Sequence, residues 1–274
     1  MKIFVLAPKE DWICDRLVSE WYAAFPEFCT KNINDADVIW LLAGWCWNHL
    51  PIEILKNKKI TNIEHHIVPE KFTQQKYQNF MIRDQFVNCY HVPNEKTKSL
   101  LGQLTNKRIE VISYWYNDKL WYPIDKTKTR KELDLSIENY YIGSFQRDTE
   151  GSDLKTPKLE NRLKKAKINY TLFEKTSQDK IRLLYSACDL YIVSSRFEGG
   201  PQAIIEASSM KVPIISTDVG IANQILHKNC IIDIEKDYYV PDSKDLEYAF
   251  SKVSKLSIKR HGEKFIKLFK EVDI

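Results

Sequence analysis

Long apolar runs are missing from this chain of 274 residues. Near its amino end the longest extends from Val38 to Cys46, far short of the roughly 20 residues that a membrane-spanning helix needs. Met1-Lys2 passes directly into the strand-like Ile3-Phe4-Val5-Leu6, so neither a secretory leader nor an anchor is read there. Clustered cysteines are missing too. The six cysteines, Cys14, Cys29, Cys46, Cys89, Cys188 and Cys230, have no short repeated spacing. That argues against a disulfide scaffold and a zinc site, and implies a reducing, cytoplasmic setting. A strong charge of either sign is also lacking. The formal net charge of +4 is well below what a strongly basic binding surface brings, so no nucleic-acid partner is expected. With 43% hydrophobic and 28% charged residues, the composition fits a folded, soluble protein, neither disordered nor embedded in a membrane.

Glycine is scarce, and five of the eight glycines lie between Gly143 and Gly220. Tryptophan has the opposite bias, with all seven at or before Trp121. Two halves of different composition, in a chain long enough for two compact domains, predict two domains. The first half opens with a strand over Ile3 to Ala7 and a helical stretch in which Ile13, Leu17, Trp21 and Ala24 recur at three- and four-residue spacing. Apolar runs at Val38–Leu42, Ile60–Ile63 and Arg108–Ile112 continue a β-α-β alternation. Residues 1–122 thus read as one Rossmann-like unit. Tyr122 to Arg130 has a proline, polar and basic residues and no apolar period, the signature of a linker.

The same grammar then restarts. Tyr140–Ile142, ending at Gly143, reads as a strand, Leu159–Ala166 as a helix, Tyr170–Phe173 as a strand and Asp179–Ala187 as a helix. Leu190–Val193, Glu206 to Met210 and Pro213–Ser216 follow as strand, helix and strand, so residues 135–250 form a second α/β unit. Residues 251–274 hold a terminal helix with Phe265, Leu268, Phe269 and Val272 on one face and Lys264, Lys267 and Lys270 elsewhere around it. Between Lys252 and Lys270 seven Lys/Arg are opposed only by Glu263.

The stretch Ser194-Ser195-Arg196-Phe197-Glu198-Gly199-Gly200-Pro201-Gln202-Ala203-Ile204-Ile205-Glu206-Ala207 carries the chemistry. Gly199 and Gly200 follow a buried-looking strand, and Pro201 stands where a helix would start. Such a strand, turn and helix terminus is an anion cradle: the N–H groups of Gln202 and Ala203 would point at a diphosphate, favoured by the helix dipole. Glu206, about one turn into the helix, could accept from vicinal ribose hydroxyls, while Glu198 lies at the strand's carboxyl end, where open α/β sheets place ligands.

Leu184 to Ile192, Ser194 to Pro201, Glu206-Ala207 and Val212 to Gly220 together closely resemble glycosyltransferase family 4, with its E-x(7)-E signature matched by Glu198 and Glu206. Weaker similarity runs through Ile109–Asn117 and Trp121–Pro123, which resemble the close of that family's first domain, and Tyr141–Arg147, which resembles the opening of its second. The resemblance implies a GT-B fold, two Rossmann-like α/β domains facing each other across a cleft. It places the nucleotide sugar on the second domain and the acceptor on the first. It also implies transfer from a UDP- or GDP-linked sugar to a glycan, lipid-linked or small-molecule acceptor, with retention, no obligatory metal and no cofactor beyond the co-substrate.

By the same resemblance Glu198 and His65, of the pair His65-His66, are the catalytic candidates, since the family's strand-end histidine lies near the transferred sugar; a satisfied structural histidine is the competing reading. Phosphate charge would be met by Arg147 and by Lys158, with Lys155 and Arg162 behind it. Trp45, Trp47, Trp115 and Trp121 could stack on acceptor sugars, but core packing is the commoner use of tryptophan and the expected one here.

Two features depart from the family. The loop Ala7 to Asp15 has no glycine, and the chain is short for the fold. They motivate an alternative, a catalytically impaired nucleotide-sugar-binding or scaffolding protein. Hydrolase or epimerase chemistry on the same fold is a third option. The terminal helix is expected to pack back on the first domain, although a lysine-rich helix can also make a peripheral contact with an anionic membrane bearing a lipid-linked acceptor.

Overall fold

The computed structural model describes residues 1–9, 13–144, 177–233 and 239–273. The chain forms two compact units, Met1–Ser113 with Ile258–Ile274, and Tyr114–Ser257.

The first unit is built on a five-stranded sheet, β1 (Ile3–Leu6), β2 (Val38–Leu41), β3 (Lys59–Ile63), β4 (Cys89–Val92) and β5 (Arg108–Val111), in that order. Every pairing is parallel, with Ile3 beside Val38, Val38 beside Lys59, Thr61 beside Cys89 and Cys89 beside Arg108. Parallel strands need a crossover between them, and α1 (Ile13–Ala24), α2 (Ile52–Asn57), α3 (Gln74–Asp84) and α4 (Glu95–Leu101) lie in those connections. Successive side chains of a strand point to opposite faces. Ile39 and Leu41 of β2 join Tyr90 and Val92 of β4 in one cluster with Leu55, Phe80 and Leu101.

Their neighbours Trp40 and His91 serve the other face, beside Trp21 of α1 and Phe265 and Phe269 of the terminal helix (Ile258–Asp273). The Trp40 indole Nε1–H donates to His91 Nε2 at 2.8 Å.

β4 has no counterpart among the strands read from the sequence. Its residues, Cys-Tyr-His-Val, form neither an apolar run nor an alternation, yet all four are buried. A histidine whose Nε2 accepts from an indole can occupy an interior strand that looks polar from the sequence alone, although its buried Nδ1 has no partner among the described residues.

The second unit holds β6 (Ile142–Gly143), β7 (Leu190–Val193) and β8 (Ile214–Ser216), again parallel and in sequence order. Its described helices are α5 (Lys126–Glu132), α6 (Gln178–Ala187), α7 (Gln202–Ser209), α8 (Ala222–Ile225) and α9 (Ser243–Val253). The helix α5 corrects the linker reading of Tyr122 to Arg130. Asp125 caps it, its side chain accepting from Lys128 N–H at 2.7 Å. Arg130, only 5% exposed, donates to the carbonyls of Ala187, Ile137 and Asn139 and to Asp189. With a threonine, Thr129, and one long cation as its buried face, the helix shows no apolar period to read. The helix Leu159–Ala166 and strand Tyr170–Phe173 expected from the sequence lie outside the described residues.

Candidate nucleotide-sugar site

All four residues of β7 are buried, and the chain leaves the sheet through the buried pair Ser194-Ser195. Two hydrogen bonds set the exit. The Thr217 hydroxyl donates to the Ser195 carbonyl at 2.6 Å, and the Ser195 hydroxyl donates to Glu198 Oε1 at 2.8 Å. Glu198 is therefore oriented at the carboxyl end of β7, one residue ahead of the Gly199-Gly200-Pro201 turn. Arg196 is exposed, with its guanidinium over the Phe197 ring at 5.6 Å.

That turn packs against Gly220, which in the sequence only ends the run Val212 to Gly220. Gly220 adopts φ +55, and a Cβ there would come within 2.5 Å of the Gly199 carbonyl oxygen and 2.9 Å of Pro201 Cδ. Both conformation and space demand glycine. The signal available in the sequence was a glycine shortly beyond the carboxyl end of β8, the edge of an open α/β sheet where ligands bind.

The helix α7 starts at Gln202, directly after Pro201, where the sequence places a helix start, and it contains all but the last residue of the span Glu206 to Met210. Pro201 is its N-cap and no side chain caps it, so the partial positive charge of the helix start is not answered by a side-chain acceptor. Gln202 and Ala203 form its first turn, and the Gln202 amide donates to the Trp115 carbonyl at 3.3 Å while its Oε1 is buried. Gln202 thereby joins the helix start to the segment Tyr114–Tyr116, which is buried. Glu206 lies one turn further and is 4% exposed, an unusual position for a carboxylate because burying that charge is costly unless donors surround it. Gly199, Gly200, Pro201, Gln202, Ala203, Glu198 and Glu206 thus form one continuous strand-turn-helix element. Arg147, Lys158, Lys155 and Arg162 lie outside the described residues.

Residues 131–255 match the family Glycosyl transferases group 1. The match spans the whole strand-turn-helix element and less than half of the chain. No curated protein matches the sequence. Among solved structures, HepE of Anabaena in complex with UDP superposes with a TM-score of 0.75 at 13% identity, over 99% of this chain and 100% of that one. Sucrose-phosphate synthase of Thermosynechococcus elongatus gives 0.64 at 15%, over 97% and 80%. AviGT4, a glycosyltransferase involved in avilamycin A biosynthesis, gives 0.62 at 8%, over 100% and 98%. Likeness at such identities establishes the fold: α/β, with Rossmann-like units of the GT-B type.

In the first unit, His65 follows β3. Its Nε2 is 2.8 Å from the Leu42 carbonyl, so that nitrogen carries the proton and donates. The Cys14 thiol approaches the same carbonyl at 3.6 Å and His65 Nε2 at 4.0 Å. Burial draws the His65 pKa down to about 4, against the opposing pull of the Leu42 hydrogen bond. A neutral imidazole with one nitrogen fixed on backbone is oriented, and at neutral pH it can offer a polar contact without a charge. His66 is exposed.

Beside His65, Glu64 pairs with Arg83 at 2.7 Å, and the Arg83 guanidinium packs so closely on Gly44 that a Cβ there would lie 1.8 Å from it. Gly44 opens the 3-10 turn Gly44–His49 that carries Trp45 and Trp47.

The tryptophans divide. Trp115 and Trp121 are core residues, and Trp47 is half-buried and stacks on Phe86 with centroids 6.4 Å apart. Trp45 corrects the packing expectation, since it is 55% exposed. The loop after β1 turns without glycine by placing Lys9 at φ +57, a left-handed conformation that a side chain adopts at a cost of about 1–2 kcal/mol. No group of three or more His, Cys, Asp or Glu among the described residues is placed to hold a metal ion, and no described helix is long and apolar enough to cross a membrane.

Proposed function

We propose that this protein is a retaining, metal-independent glycosyltransferase of the family 4 type. It would move a sugar, a hexose in this reading, from a UDP- or GDP-linked donor to a glycan, lipid-linked or small-molecule acceptor. The observation that carries the reading is the turn Gly199–Pro201, locked by Gly220 and leading straight into a helix start that no side chain caps, with the buried Glu206 one turn in. A diphosphate suits that terminus because backbone N–H groups and the helix dipole favour negative charge there. Vicinal ribose hydroxyls suit Glu206, which accepts two hydrogen bonds without a change of protonation.

In this reading Glu198, held by Ser195, contacts the transferred sugar, and neutral His65 contacts it from the first unit as a hydrogen-bonding group. Arg147 and Lys158 supply cationic charge to the diphosphate. The family match over residues 131–255 supports nucleotide-sugar transfer, and HepE, crystallised with UDP-glucose, makes UDP-glucose the first donor to try.

The test is a thermal-shift series with UDP, GDP and their sugar conjugates, followed by product analysis. A ligand present at 100 times its Kd stabilises by about 2.7 kcal/mol, which raises the melting temperature of a protein of this size by roughly 5 °C or more. Glu206→Ala is expected to abolish the rise. An unchanged rise in that variant removes the ribose assignment, and no response to any nucleotide removes the proposal. The glycine-free loop with Lys9 in a left-handed turn favours one competing reading, donor binding without transfer. Sugar release from any donor, even as slow hydrolysis, rules that reading out.

A further inference from the structure

The terminal helix Ile258–Asp273 divides sharply around its axis. At 100° per residue, the buried residues Ile258, His261, Gly262, Phe265, Ile266, Leu268, Phe269 and Val272 fill one side. Lys259, Arg260, Glu263, Lys264, Lys267, Lys270 and Glu271 are exposed and fill the remaining arc. The apolar side is fully engaged within its own unit: Phe265 and Phe269 pack on Trp21 and Trp40, and His261 Nε2 donates to the Ser113 carbonyl at 2.8 Å. The helix is therefore amphipathic for the ordinary reason, and its apolar side has nothing left to insert into a bilayer.

The charged side does not have an ordinary solvated balance. Five cations share it, joined by Lys255 just before the helix, which is also exposed. Of the two carboxylates, Glu271 is shared between Arg108 of β5 and Lys267, 3.8 Å away, and together with Glu263 it leaves an excess of positive charge on the face. Lys264, Lys267 and Lys270 repeat at three-residue spacing and Arg260 precedes Lys264 by four, arrangements that repel by a few tenths of a kcal/mol per pair. Glu263, four residues from Lys259 and from Lys267, and Glu271, four from Lys267, offset this repulsion along the helix, and the net positive charge that remains faces outward, where a partner of opposite charge would meet it.

We propose that this face docks the protein on an anionic lipid bilayer by electrostatic attraction alone, with no insertion. The helix is about 24 Å long, enough to lie across several headgroups. Lysine, a compact point charge, outnumbers arginine here by four to one, which suits a diffuse sheet of charge better than bidentate recognition of single phosphates. No large hydrophobic side chain of this segment is exposed, so the base-stacking platform of a single-stranded nucleic-acid binder is missing from the face. The inference is independent of the transferase reading, because it uses neither the turn at Gly199 nor His65.

The test is co-sedimentation of the whole protein with vesicles of phosphatidylcholine alone or with 30% phosphatidylglycerol, at low and high salt. Binding is expected only to the anionic vesicles and is expected to vanish at about 0.5 M salt, where the Debye length has shrunk to a few ångströms. The variant Lys259→Gln/Lys264→Gln/Lys267→Gln, whose helix keeps its buried side, is expected to bind roughly 100-fold more weakly, since each basic residue near such a surface contributes about 1 kcal/mol. Circular dichroism and the melting temperature check that it is folded. Equal binding to neutral vesicles, undiminished binding by the folded variant, or binding to RNA with none to anionic vesicles would each overturn the proposal. A nucleotide-induced thermal shift that survives in the variant separates this outcome from the fate of the transferase reading.

Discussion

Acidification should unfold the first unit well before its carboxylates titrate, and three histidines set the size of the effect. His91 is completely buried on β4, with Nε2 accepting from the Trp40 indole at 2.8 Å and the Phe265 ring edge-on at 5.2 Å. A proton on Nε2 would set two donors face to face, and burial with the nearby His65 draws the pKa down to about 3. His65 and His261 are drawn down to about 4, chiefly by burial. A base with a depressed folded pKa stays neutral in the native state while the unfolded chain takes up the proton. Its contribution to stability is therefore intact above the unfolded value of 6.5 and is lost as pH falls from there toward the folded value.

At pH 5 each of the three has lost about 2 kcal/mol relative to pH 7.5, about 6 kcal/mol together, which is comparable to the whole stability of many domains. Asp189 does not blur the window. Burial pushes its carboxyl up, but the Tyr141 N–H, Lys126 and Arg130 outweigh that and hold it below its ordinary 3.8, so its loss comes only at lower pH. Urea titrations at pH 7.5 and 5.0, read by hydrogen exchange in peptides covering Val38–Leu41 and Cys89–Val92, isolate this unit. The wild type should lose most of its stability between the two, and His91→Gln, whose amide oxygen can still accept from Trp40, should lose about 2 kcal/mol less over the same interval. Equal stability of the wild type at both pH values, or an identical loss in the variant, refutes the reasoning.

Gly220→Ala should lower stability by at least about 2 kcal/mol, from the left-handed backbone and a Cβ 2.5 Å from the Gly199 carbonyl, and should weaken donor binding because the displaced turn is the proposed diphosphate seat; urea denaturation reads the first and calorimetric titration with UDP the second. Arg130→Met should cost about 3–5 kcal/mol by leaving Asp189 without its buried partner. Chemical denaturation measures that cost, and an effect under 1 kcal/mol means that Lys126, 2.9 Å from Asp189, suffices alone.

Much of the fold was legible because its signals are local. Four- and five-residue apolar runs marked β2, β3 and β7, three- and four-residue spacing marked α1 and the terminal helix, and Gly199-Gly200-Pro201 marked the turn. Other features were illegible because distant residues decide them. The strand Cys89–Val92 depends on Trp40, far away in the chain, to make a buried histidine tolerable. The helix Lys126–Glu132 hides its interior residue, Arg130, behind a charge that only Asp189 and three carbonyls answer. The exposure of Trp45 has no sequence signature, since tryptophan looks the same inside and outside a core.

By itself the amino-acid order determined where β2, β3, β7, α1 and the terminal helix form and where the turn Gly199–Pro201 falls, because backbone propensity, apolar period and turn chemistry act over a few residues. Tertiary structure alone decided that Gly220 closes on Gly199, that Arg130 is interior, and that the last helix spends its apolar side on Trp21 and Trp40 while leaving its lysines in solvent. Those outcomes depend on which distant surfaces meet, and burial and partner charge, unlike period, are properties of the meeting.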